Sequence, residues 1–499
     1  MTLTSALALV RGLPALHRLE PVHGHHVAPE RLRAIVDHGV ADGWRFAALL
    51  AHPEADGVRL DHVFMVPGQR APLLLGLPAL REAPSIALAC PGASWAEREV
   101  RDLYGVRFTD SPDERPLLRH PDDYAFRHIE GDGVMEIRVG PIHAGIIEPG
   151  HFRFSAVGET VLGLEIRLFY VHRGVERLAR GLTPAAALVL GERISGSGSV
   201  AHSLALARAM EHALGCPVPP AHALMRSLLL ELERFTNHAG DLGNLCAGTA
   251  LASLLAEGLI IKERLLAASQ QLTGSRWLRN LICLGGVRRL PGAAERAAAL
   301  ALLTEQAAAL ERVADKLFGT ASNLERLTGT GVLSPEHARN LATVGVVARG
   351  SGLALDSRAD LDFASPADTE AYRDLVVVTD RAGDVAARAR VRVAEARESL
   401  RLCQRIEALL TRADAAADAA RGPGAATRDS GEGLGWSEGA RGELVTWVRL
   451  EAGRISGLRV RSPSRMNWPA IEHAMPGNIV PDFPLINKSF NLSYAGCDL

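Results

Sequence analysis

Cysteine is scarce in this chain and never occurs at metal-binding spacing. The 499 residues include six cysteines, and no two of them lie within three positions of each other. The lack of any C-x-x-C pair excludes a zinc ribbon, a ferredoxin-type cluster and a thioredoxin-like redox motif. Isolated thiols are typical of a reducing compartment, where a cysteine is more often a small buried side chain than a ligand.

The chain also lacks a long apolar run and an excess of charge of either sign. Its longest uncharged stretch near the middle, residues 242–256, is shorter than the ~20 residues that a membrane-spanning helix needs. Residues 1–20 contain no basic n-region and no clear cleavage site, so we expect no signal peptide. Because 55 basic residues nearly balance 57 acidic ones, nucleic acid is not an expected partner. We expect no direct membrane span.

Hydrophobic periodicity predicts an α+β fold that begins with a small mixed α/β domain at residues 1–130. Residues 44–53 and 58–67 alternate like two short strands separated by turn residues. Residues 94–108 begin with a cap-like serine, continue as a short polar helix and break at Gly105. The stretch TDSPDERPLLRHPDDY that follows is rich in Pro and Asp, which favours a loop.

A larger, mainly helical bundle domain with flanking β-hairpins is predicted at residues 136–499. Residues 151–174 alternate around a Gly-Glu turn, which indicates a hairpin. Residues 170–412 carry long helical patterns with apolar positions three and four apart. Residues 413–433 are of low complexity and predict an exposed loop. Strand patterns then return, and the apolar tail at residues 479–499 is expected to be buried.

Several motifs, each weak alone but present in one consistent order, resemble subunits of respiratory complexes. Residues 94–124, with EREVRDLYGVRF and DERPLLRHP, resemble the small peripheral-arm subunit of complex I beside the quinone-reducing module. Residues 136–499 resemble the large subunit of membrane-bound group 4 nickel–iron hydrogenases and the homologous quinone-site subunit of complex I. The matching pieces include GPIHAGIIEPGHFRF, FYVHRGVERL, ERISGSGSVAHSLA, LLLELERFTNHAGDLG and EGARGEL. Fusion of the two subunits is typical of hydrogenase-4-like and formate hydrogenlyase-like complexes.

The resemblance implies four thiolate ligands for nickel and iron, and this sequence has none of them. In the family, the first pair lies in an Arg-x-Cys-Gly-x-Cys-x-x-x-His frame, whose cysteine positions are Ser195 and Gly198 here. The second pair lies in Asp-Pro-Cys-x-x-Cys, where Ser493 and Gly496 take its place. Nickel and low-spin iron need soft, strongly donating ligands, which serine and glycine do not supply. We expect a degenerate site without metal, and interpret Cys497 as an isolated thiol.

Other positions of the hydrogenase site are retained, and the resemblance implies roles for them. Glu148 matches a glutamate that relays protons, although a solvent-facing glutamate at a strand turn is an equal alternative. Arg441 matches the arginine above the metals. Arg193 and His202 complete the frame of the first cysteine pair. A role in packing the scaffold is the alternative for each of them.

His172 and Arg173, in the piece FYVHRG, match positions beside the terminal iron–sulfur cluster of a partner protein. A fixed guanidinium there would raise the potential of the cluster and help to dock the partner. The resemblance therefore implies an iron–sulfur cluster in the partner and none in this chain.

The complex I branch also lacks the cysteines, and the resemblance to it implies a quinone site. That branch contacts the quinone head through a His, a Tyr and an Asp. His151 is the counterpart of the His, whereas Gly196 stands at the Tyr position and Gly248 near the Asp position. With two of the three contacts missing, a bound quinone would need different contacts.

The resemblance implies a peripheral-arm large subunit of a hydrogenase-4-like or complex I-like oxidoreductase that couples electron transfer to proton or ion translocation. Its expected partners are an iron–sulfur small subunit and antiporter-like and anchor subunits, at the cytoplasmic face of the cell membrane. Two alternatives stay open: a non-catalytic scaffold that docks the small subunit onto the membrane arm, and a quinone-reducing site with non-standard contacts. Whether the chain is itself catalytic stays open, and hydrogenase activity is not expected.

Overall fold

The N-terminal part of the protein forms a five-stranded sheet. The structure, a computed structural model, describes residues 6–16, 22–143, 147–363, 365–415 and 422–499. The strands of the sheet are β1 (Ala15–Leu16), β2 (His23–His26), β3 (Arg45–Glu54), β4 (Gly57–Met65) and β5 (Leu73–Leu80). Their order is β1-β2-β5-β4-β3; β2 and β5 are parallel, and the other neighbours are antiparallel. The two strands predicted at residues 44–53 and 58–67 are confirmed as β3 and β4.

Three helices and a short parallel strand pair flank this sheet. They are α1 (Ala6–Arg11), α2 (Pro29–Ala41) and α3 (Ser94–Tyr104), with β6 (Glu82–Pro84) and β7 (Arg107–Thr109). Helix α3 ends as predicted at Gly105, whose φ of 72° is a left-handed conformation that glycine adopts without steric cost. Ser94 is the first helical residue and Ala93 is the N-cap, so the predicted capping role of Ser94 is wrong by one position.

A three-stranded antiparallel sheet opens the larger part of the chain. Its strands are β8 (Val134–Val139), β9 (His151–Val157) and β10 (Thr160–Arg167), in the order β10-β9-β8. The predicted hairpin is confirmed, because β9 and β10 are joined at Gly158 and Glu159. On β9, the fully buried rings of Phe152 and Phe154 lie 4.7 and 5.1 Å from the ring of Phe483. This contact joins the sheet to the C-terminal segment.

Helices dominate the middle of the chain, as predicted. They are α4 (Val175–Leu178), α5 (Pro184–Gly191), α6 (Ser199–Leu214), α7 (Pro220–Ala247), α8 (Ala252–Thr273), α9 (Ala293–Gly319), α10 (Ala321–Leu327), α11 (Pro335–Asn340), α12 (Gly345–Gly350), α13 (Ser357–Asp360), α14 (Pro366–Ala371) and α15 (Val385–Ala415), with a small hairpin of β11 (Ile282–Cys283) and β12 (Gly286–Val287) between α8 and α9. Helix α7 is buried on all sides, which makes it the central helix of the bundle. Its His238, interpreted from sequence as a packing residue, is fully buried with Nε2 2.9 Å from Glu395.

The C-terminal segment adds a second antiparallel sheet and three helices. These are β13 (Gly431–Gly439), β14 (Gly442–Glu451), β15 (Arg454–Arg461), α16 (Pro463–Ala474), α17 (Phe483–Phe490) and α18 (Tyr494–Asp498). Strand β13 lies directly on α6: a Cβ at Gly435 would lie 2.2 Å from the carbonyl oxygen of Ala205. The loop predicted at residues 413–433 is shorter, because α15 extends to Ala415 and β13 begins at Gly431. Residues 416–421 lie outside the described residues.

The two predicted domains share one apolar cluster. Leu50 and Leu74 of the first sheet pack with Val445 and Trp447 of β14. Arg459 also donates from Nε to the carbonyl oxygen of Ala51 at 2.8 Å. These contacts join the first and last sheets, and the α+β prediction is confirmed. In the part of the chain that the structure describes, no helix is both long and apolar enough to cross a lipid bilayer.

Candidate functional site

Two loops that lie far apart in sequence meet at one place in the fold. The first serine loop, residues 192–199, joins α5 to α6; the second serine loop, residues 491–496, joins α17 to the start of α18. Helix α17 ends at Phe490, and its C-cap residue Asn491 has a φ of 51°, a left-handed conformation that ends the helix. Ser493 then caps α18 by accepting a hydrogen bond from the Gly496 N–H at 2.9 Å.

The contact between the loops is a hydrogen bond between two hydroxyl groups. Ser195 Oγ lies 2.9 Å from Ser493 Oγ, although 298 positions separate the two residues. Ser197 Oγ lies 3.4 Å from Ser195 Oγ on the other side. Three serine hydroxyls therefore form a short chain across the junction of the loops.

Arg441 joins both loops from the turn between β13 and β14. Its Nη1 donates to Ser197 Oγ at 2.7 Å, and its Nε donates to the carbonyl oxygen of Asn491 at 2.5 Å. The structure thus places Arg441 at the site where sequence reasoning expected it. Since a guanidinium donates in a fixed planar fork, it also sets the spacing of the two loops.

Gly198 and Gly496 face the same space as the serines. A Cβ at Gly496 would lie 3.1 Å from Ser493 Oγ and 3.4 Å from Ser195 Cβ, and a Cβ at Gly198 would lie 3.3 Å from His202 Cδ2. All four predicted degenerate positions line one cavity of about 20 Å³. This volume holds about one water molecule.

His202 lies on α6, is buried and lines this cavity. Its Nδ1 has no partner among the described residues. Burial, together with the positive charges of Arg173 and Arg441, lowers the pKa of His202 to about 3. The imidazole is therefore neutral at neutral pH and carries one N–H.

Arg173 clamps the two loops from outside the cavity. Its guanidinium donates to the carbonyl oxygens of Arg193, Ile194 and Ala495 at 3.1, 2.8 and 2.9 Å. His172, its neighbour, has Nδ1 2.5 Å from the carbonyl oxygen of Asp498. Both side chains are exposed, so this edge of the site lies at the surface of the chain.

Arg193 does not join the site, although it belongs to the same sequence frame. Its exposed side chain donates to the carbonyl oxygen of Val189 at 2.6 Å and lies 3.5 Å from the Glu192 carboxylate, outside the cavity.

Glu148 and His151 occupy different surroundings. Glu148 is exposed, and its Oε2 accepts a hydrogen bond from the Ala495 N–H of the second serine loop at 2.8 Å. His151 is the first residue of β9 and does not line the cavity. Its ring lies 5.2 Å from the ring of Phe126, and its buried Nε2 has no partner among the described residues. The structure brings Glu148 to the second serine loop, whereas His151 lies outside the lining of the cavity.

The two glycines at the positions of the missing quinone contacts also differ. Gly196 is exposed in the first serine loop, where a Cβ would meet only Arg279 Nη2 at 3.8 Å. Gly248 follows α7, and a Cβ there would lie 2.9 Å from Leu485 Cδ1. An aspartate at this position would therefore require Leu485 to move.

Sequence reasoning missed Glu233 and Asn237, which hold the first serine loop from beneath. Glu233 accepts hydrogen bonds from the N–H groups of Val200 and Ala201 at 2.7 and 3.0 Å. Asn237 donates to the carbonyl oxygen of Ser197 at 2.9 Å. Burial raises the pKa of Glu233 to about 7, although these hydrogen bonds oppose the shift. Glu233 and Asn237 are four positions apart and therefore lie on one face of α7, which the sequence does indicate. Nothing in the sequence alone shows that this face of α7 contacts the first serine loop.

Thiols do not approach the cavity. Cys497 is fully buried, and its raised pKa reflects burial and the nearby Asp498. Among the described residues, no group of three or more His, Cys, Asp and Glu side chains is arranged to hold a metal ion. The residues at the junction of the loops therefore do not fit a nickel–iron centre, since hydroxyls and glycines stand where four thiolates would be required.

A larger cavity of about 350 Å³ lies between the two parts of the chain. Its wall includes Trp95 and charged side chains that are already paired, such as Arg465 with Glu99 at 2.7 Å and Arg459 with Glu176 at 3.1 Å. Each of these two arginines is therefore already paired with a glutamate.

Family models match three consecutive segments of the chain. Residues 28–129 match the respiratory-chain NADH dehydrogenase 30 kDa subunit, residues 173–247 match nickel-dependent hydrogenase, and residues 252–423 match the respiratory-chain NADH dehydrogenase 49 kDa subunit. A solved structure of the membrane-bound sulfane sulfur reductase, an archaeal respiratory membrane complex, contains a chain with the same fold. That chain is matched over its full length and 76% of this one, with a TM-score of 0.64 and 22% identity.

Curated relatives cover most of the chain. Formate hydrogenlyase subunit 5 of Escherichia coli is 31% identical over 84% of this chain and 77% of its own length. Hydrogenase-4 component G of the same organism is 31% identical over 84% of this chain and 76% of its own length. The carbon monoxide-induced hydrogenase of Rhodospirillum rubrum is 30% identical over 71% of this chain and 96% of its own length. This chain therefore belongs to the family of fused large subunits that includes formate hydrogenlyase subunit 5 and hydrogenase-4 component G.

Proposed function

We propose that this chain is the large subunit of the peripheral arm of a membrane-bound oxidoreductase complex, coupling electron transfer to proton or ion movement without hydrogen chemistry. The observation that carries the proposal is the 2.9 Å hydrogen bond between Ser195 and Ser493. It joins the two loops at two of the four positions where the family resemblance places thiolate ligands. The architecture of the site is retained, whereas its metal ligands are replaced.

The chemistry of the lining argues against a metal at this place. A serine hydroxyl is a hard, weakly acidic donor, and glycine offers no donor at all. Cys497 does not line the cavity, so it does not replace a lost thiolate.

The partners follow from the same site. The first serine loop reaches the surface, since Gly196 is exposed and Ser197 and Gly198 are half-buried. Arg173 and His172 lie at this surface and are the groups that we assign to an iron–sulfur small subunit, whose cluster would lie beside the guanidinium. Membrane subunits of antiporter and anchor type would complete the assembly on the cytoplasmic face of the membrane.

Elemental analysis of the purified complex tests the proposal. We expect no stoichiometric nickel, and iron in the amount that the clusters of the partner proteins require. A nickel-containing hydrogenase complex purified by the same procedure is the control for metal lost during preparation. Stoichiometric nickel bound to this chain would contradict the proposal.

A second candidate is a scaffold without chemistry of its own, which the small volume of the cavity favours. The quinone alternative receives less support, because His151 does not line the cavity and Leu485 occupies the space beside Gly248. Replacing Ser195 with Ala separates the two roles, since it removes the hydroxyl and keeps the loop. A scaffold predicts normal assembly and normal turnover of the complex, whereas a functional cavity predicts normal assembly with reduced turnover.

A further inference from the structure

The surface beside the first serine loop carries arginines with few acidic partners. Five arginines with exposed or half-buried side chains lie there, and we call them the arginine surface: Arg173, Arg177, Arg193, Arg279 and Arg288. Among the residues that the structure describes, Arg193 lies 3.5 Å from Glu192, and the other four arginines form no ion pair. An exposed charge without a local partner is available to a charge on another molecule.

The contacts of these arginines show that they surround one loop. Arg173 donates to the carbonyl oxygen of Arg193 at 3.1 Å, and Arg279 Nε donates to Ser199 Oγ at 3.2 Å. Arg177 follows Arg173 by four positions, on α4. Burial raises the pKa of Glu192, and three nearby positive charges oppose this shift: Arg193, Arg279 and Arg288. The arginine surface is therefore continuous with the exposed edge of the site.

The carboxylates near the arginine surface are buried or already engaged. Glu192 is 1% exposed, and one of its oxygens accepts a backbone N–H at 2.7 Å. Glu176 on α4 pairs with Arg459 at 3.1 Å. Glu148 is exposed, but it accepts a backbone N–H of the second serine loop. Positive charge therefore exceeds negative charge at this surface.

This excess does not follow from the composition of the chain. The formal net charge of the whole protein is −2. Exposed arginines of the helical bundle pair with glutamates on neighbouring helices, such as Arg264 with Glu305 at 3.0 Å and Arg397 with Glu311 at 2.6 Å. The arginine surface departs from this pattern, so its excess charge is a local feature.

Two large apolar side chains lie next to these arginines in sequence and are exposed. Leu178 follows Arg177 on α4 and is 57% exposed, and Trp277 precedes Arg279 by two positions and is 41% exposed. Protein–protein interfaces are enriched in arginine and in aromatic side chains, and their binding energy often depends on these residue types. The combination favours a protein as the occupant.

We propose that the arginine surface docks an acidic face of the iron–sulfur small subunit, whose carboxylates pair with Arg177, Arg193 and Arg288. The proposal rests on the proposed function, which assigns Arg173 to the same partner, and it adds α4 and the segment at residues 277–288 to the contact. A planar guanidinium fork matches a carboxylate, so arginines specify an acidic partner. Leu178 and Trp277 supply the apolar part of the interface.

A carbodiimide cross-link in the purified complex tests the proposal directly. This reagent forms an amide between an amine and a carboxylate in contact, and it leaves arginine unmodified. The chain contains only three lysines, so the background is low. Arg177→Lys and Arg288→Lys should each give a cross-link to an Asp or Glu of the iron–sulfur small subunit, identified by mass spectrometry. Arg312→Lys is the matched control, since Arg312 is exposed on α9 and has no ion pair within the described ranges.

Charge reversal measures how much the arginine surface contributes to docking. The double variant Arg177→Glu, Arg288→Glu should retain the small subunit roughly 10-fold less well than the wild type, because like charges across an interface are strongly unfavourable. The measurement is the ratio of small subunit to tagged chain after washes of increasing salt concentration. Wild-type retention should fall as salt screens the charges, and Arg312→Glu should behave like the wild type.

Three results would overturn the inference: cross-links at positions 177 and 288 no more frequent than at 312, cross-links to a different subunit, or retention unchanged by the double reversal. Vesicles of phosphatidylglycerol probe an anionic membrane as the occupant. Binding of the full chain to them that Arg177→Glu abolishes, without a protein cross-link, would also overturn it. Nickel in the complex would contradict the proposed function, whereas a nickel-free complex without these cross-links would contradict this inference alone.

Discussion

Removal of the Arg173 side chain should loosen both serine loops at once. Its guanidinium donates to three carbonyl oxygens, two in or beside the first loop and one in the second. Because the side chain is exposed to water, we assign each bond the lower part of the range for an ordinary intramolecular hydrogen bond, about 0.5–1 kcal/mol. Arg173→Ala should therefore lower the free energy of local opening by about 1.5–3 kcal/mol. Since 1.4 kcal/mol corresponds to a factor of ten, amide exchange should accelerate roughly 10- to 100-fold.

Hydrogen–deuterium exchange followed by mass spectrometry measures this change in peptides that cover residues 192–200 and 491–499. Arg173→Lys should give an intermediate effect, because an ammonium keeps the charge but does not span three carbonyls. Arg180→Ala is the matched control, since Arg180 is exposed nearby and its side chain forms no hydrogen bond or ion pair among the described residues. Faster exchange in only one of the two loops, or equal effects of both alanine variants, would refute the clamp.

Three further predictions concern the scaffold around the site. Gly435→Ala should lower the free energy of unfolding by more than about 3 kcal/mol, because a Cβ there would lie 2.2 Å from a backbone oxygen of α6. The control is Gly319→Ala, which has open space around it and should be neutral or stabilising in the same urea titration. Glu395→Gln should cost about 3 kcal/mol, since this buried carboxylate pairs with Arg349 at 2.6 Å; Glu305→Gln, in an exposed pair, should cost less than about 1 kcal/mol. Burial raises the pKa of Glu233 from 4.5 to about 7, so the folded state holds this proton more tightly than the unfolded state and stability falls as pH rises through that window. Glu233→Gln should not show this decline in stability, which urea titrations at several pH values between 4 and 8 would measure. If the free energy of unfolding fell with pH equally in the variant and the wild type, the prediction would be wrong.

The sequence predicts the site better than it predicts the contacts that hold it. The frames around Ser195 and Ser493 identify two loops, and a buried C-terminal tail is readable from its apolar residues. Nothing in a one-dimensional pattern reveals that Arg193 leaves the site while Arg173 clamps it. The two arginines differ because each guanidinium binds the carbonyl oxygens that lie nearest to it. For Arg193 this is the carbonyl oxygen of Val189 in α5, and for Arg173 it includes the carbonyl oxygen of Ala495 in α18.

The errors in the fold prediction have a related cause. Residues 431–433 read as loop because they include two glycines and a glutamate, yet they begin β13. Glycine is required there because the strand lies on the backbone of α6, as Gly433 shows: a Cβ would lie 2.0 Å from the carbonyl oxygen of Ala209. A residue that disfavours a strand by its own propensity is thus selected by a long-range contact.

The two serines and the two glycines that replace the four ligands have different effects on the site. Within each loop a serine stands at the first ligand position and a glycine at the second. The serines bond to each other and close the junction, whereas the glycines leave the space beside His202 and beside the hydroxyls free. Apolar side chains at Gly198 and Gly496 would have filled about 20 Å³ and produced an ordinary packed core. The junction therefore keeps a polar lining of serine hydroxyls, with Arg441 and His202 beside them, in place of an apolar core.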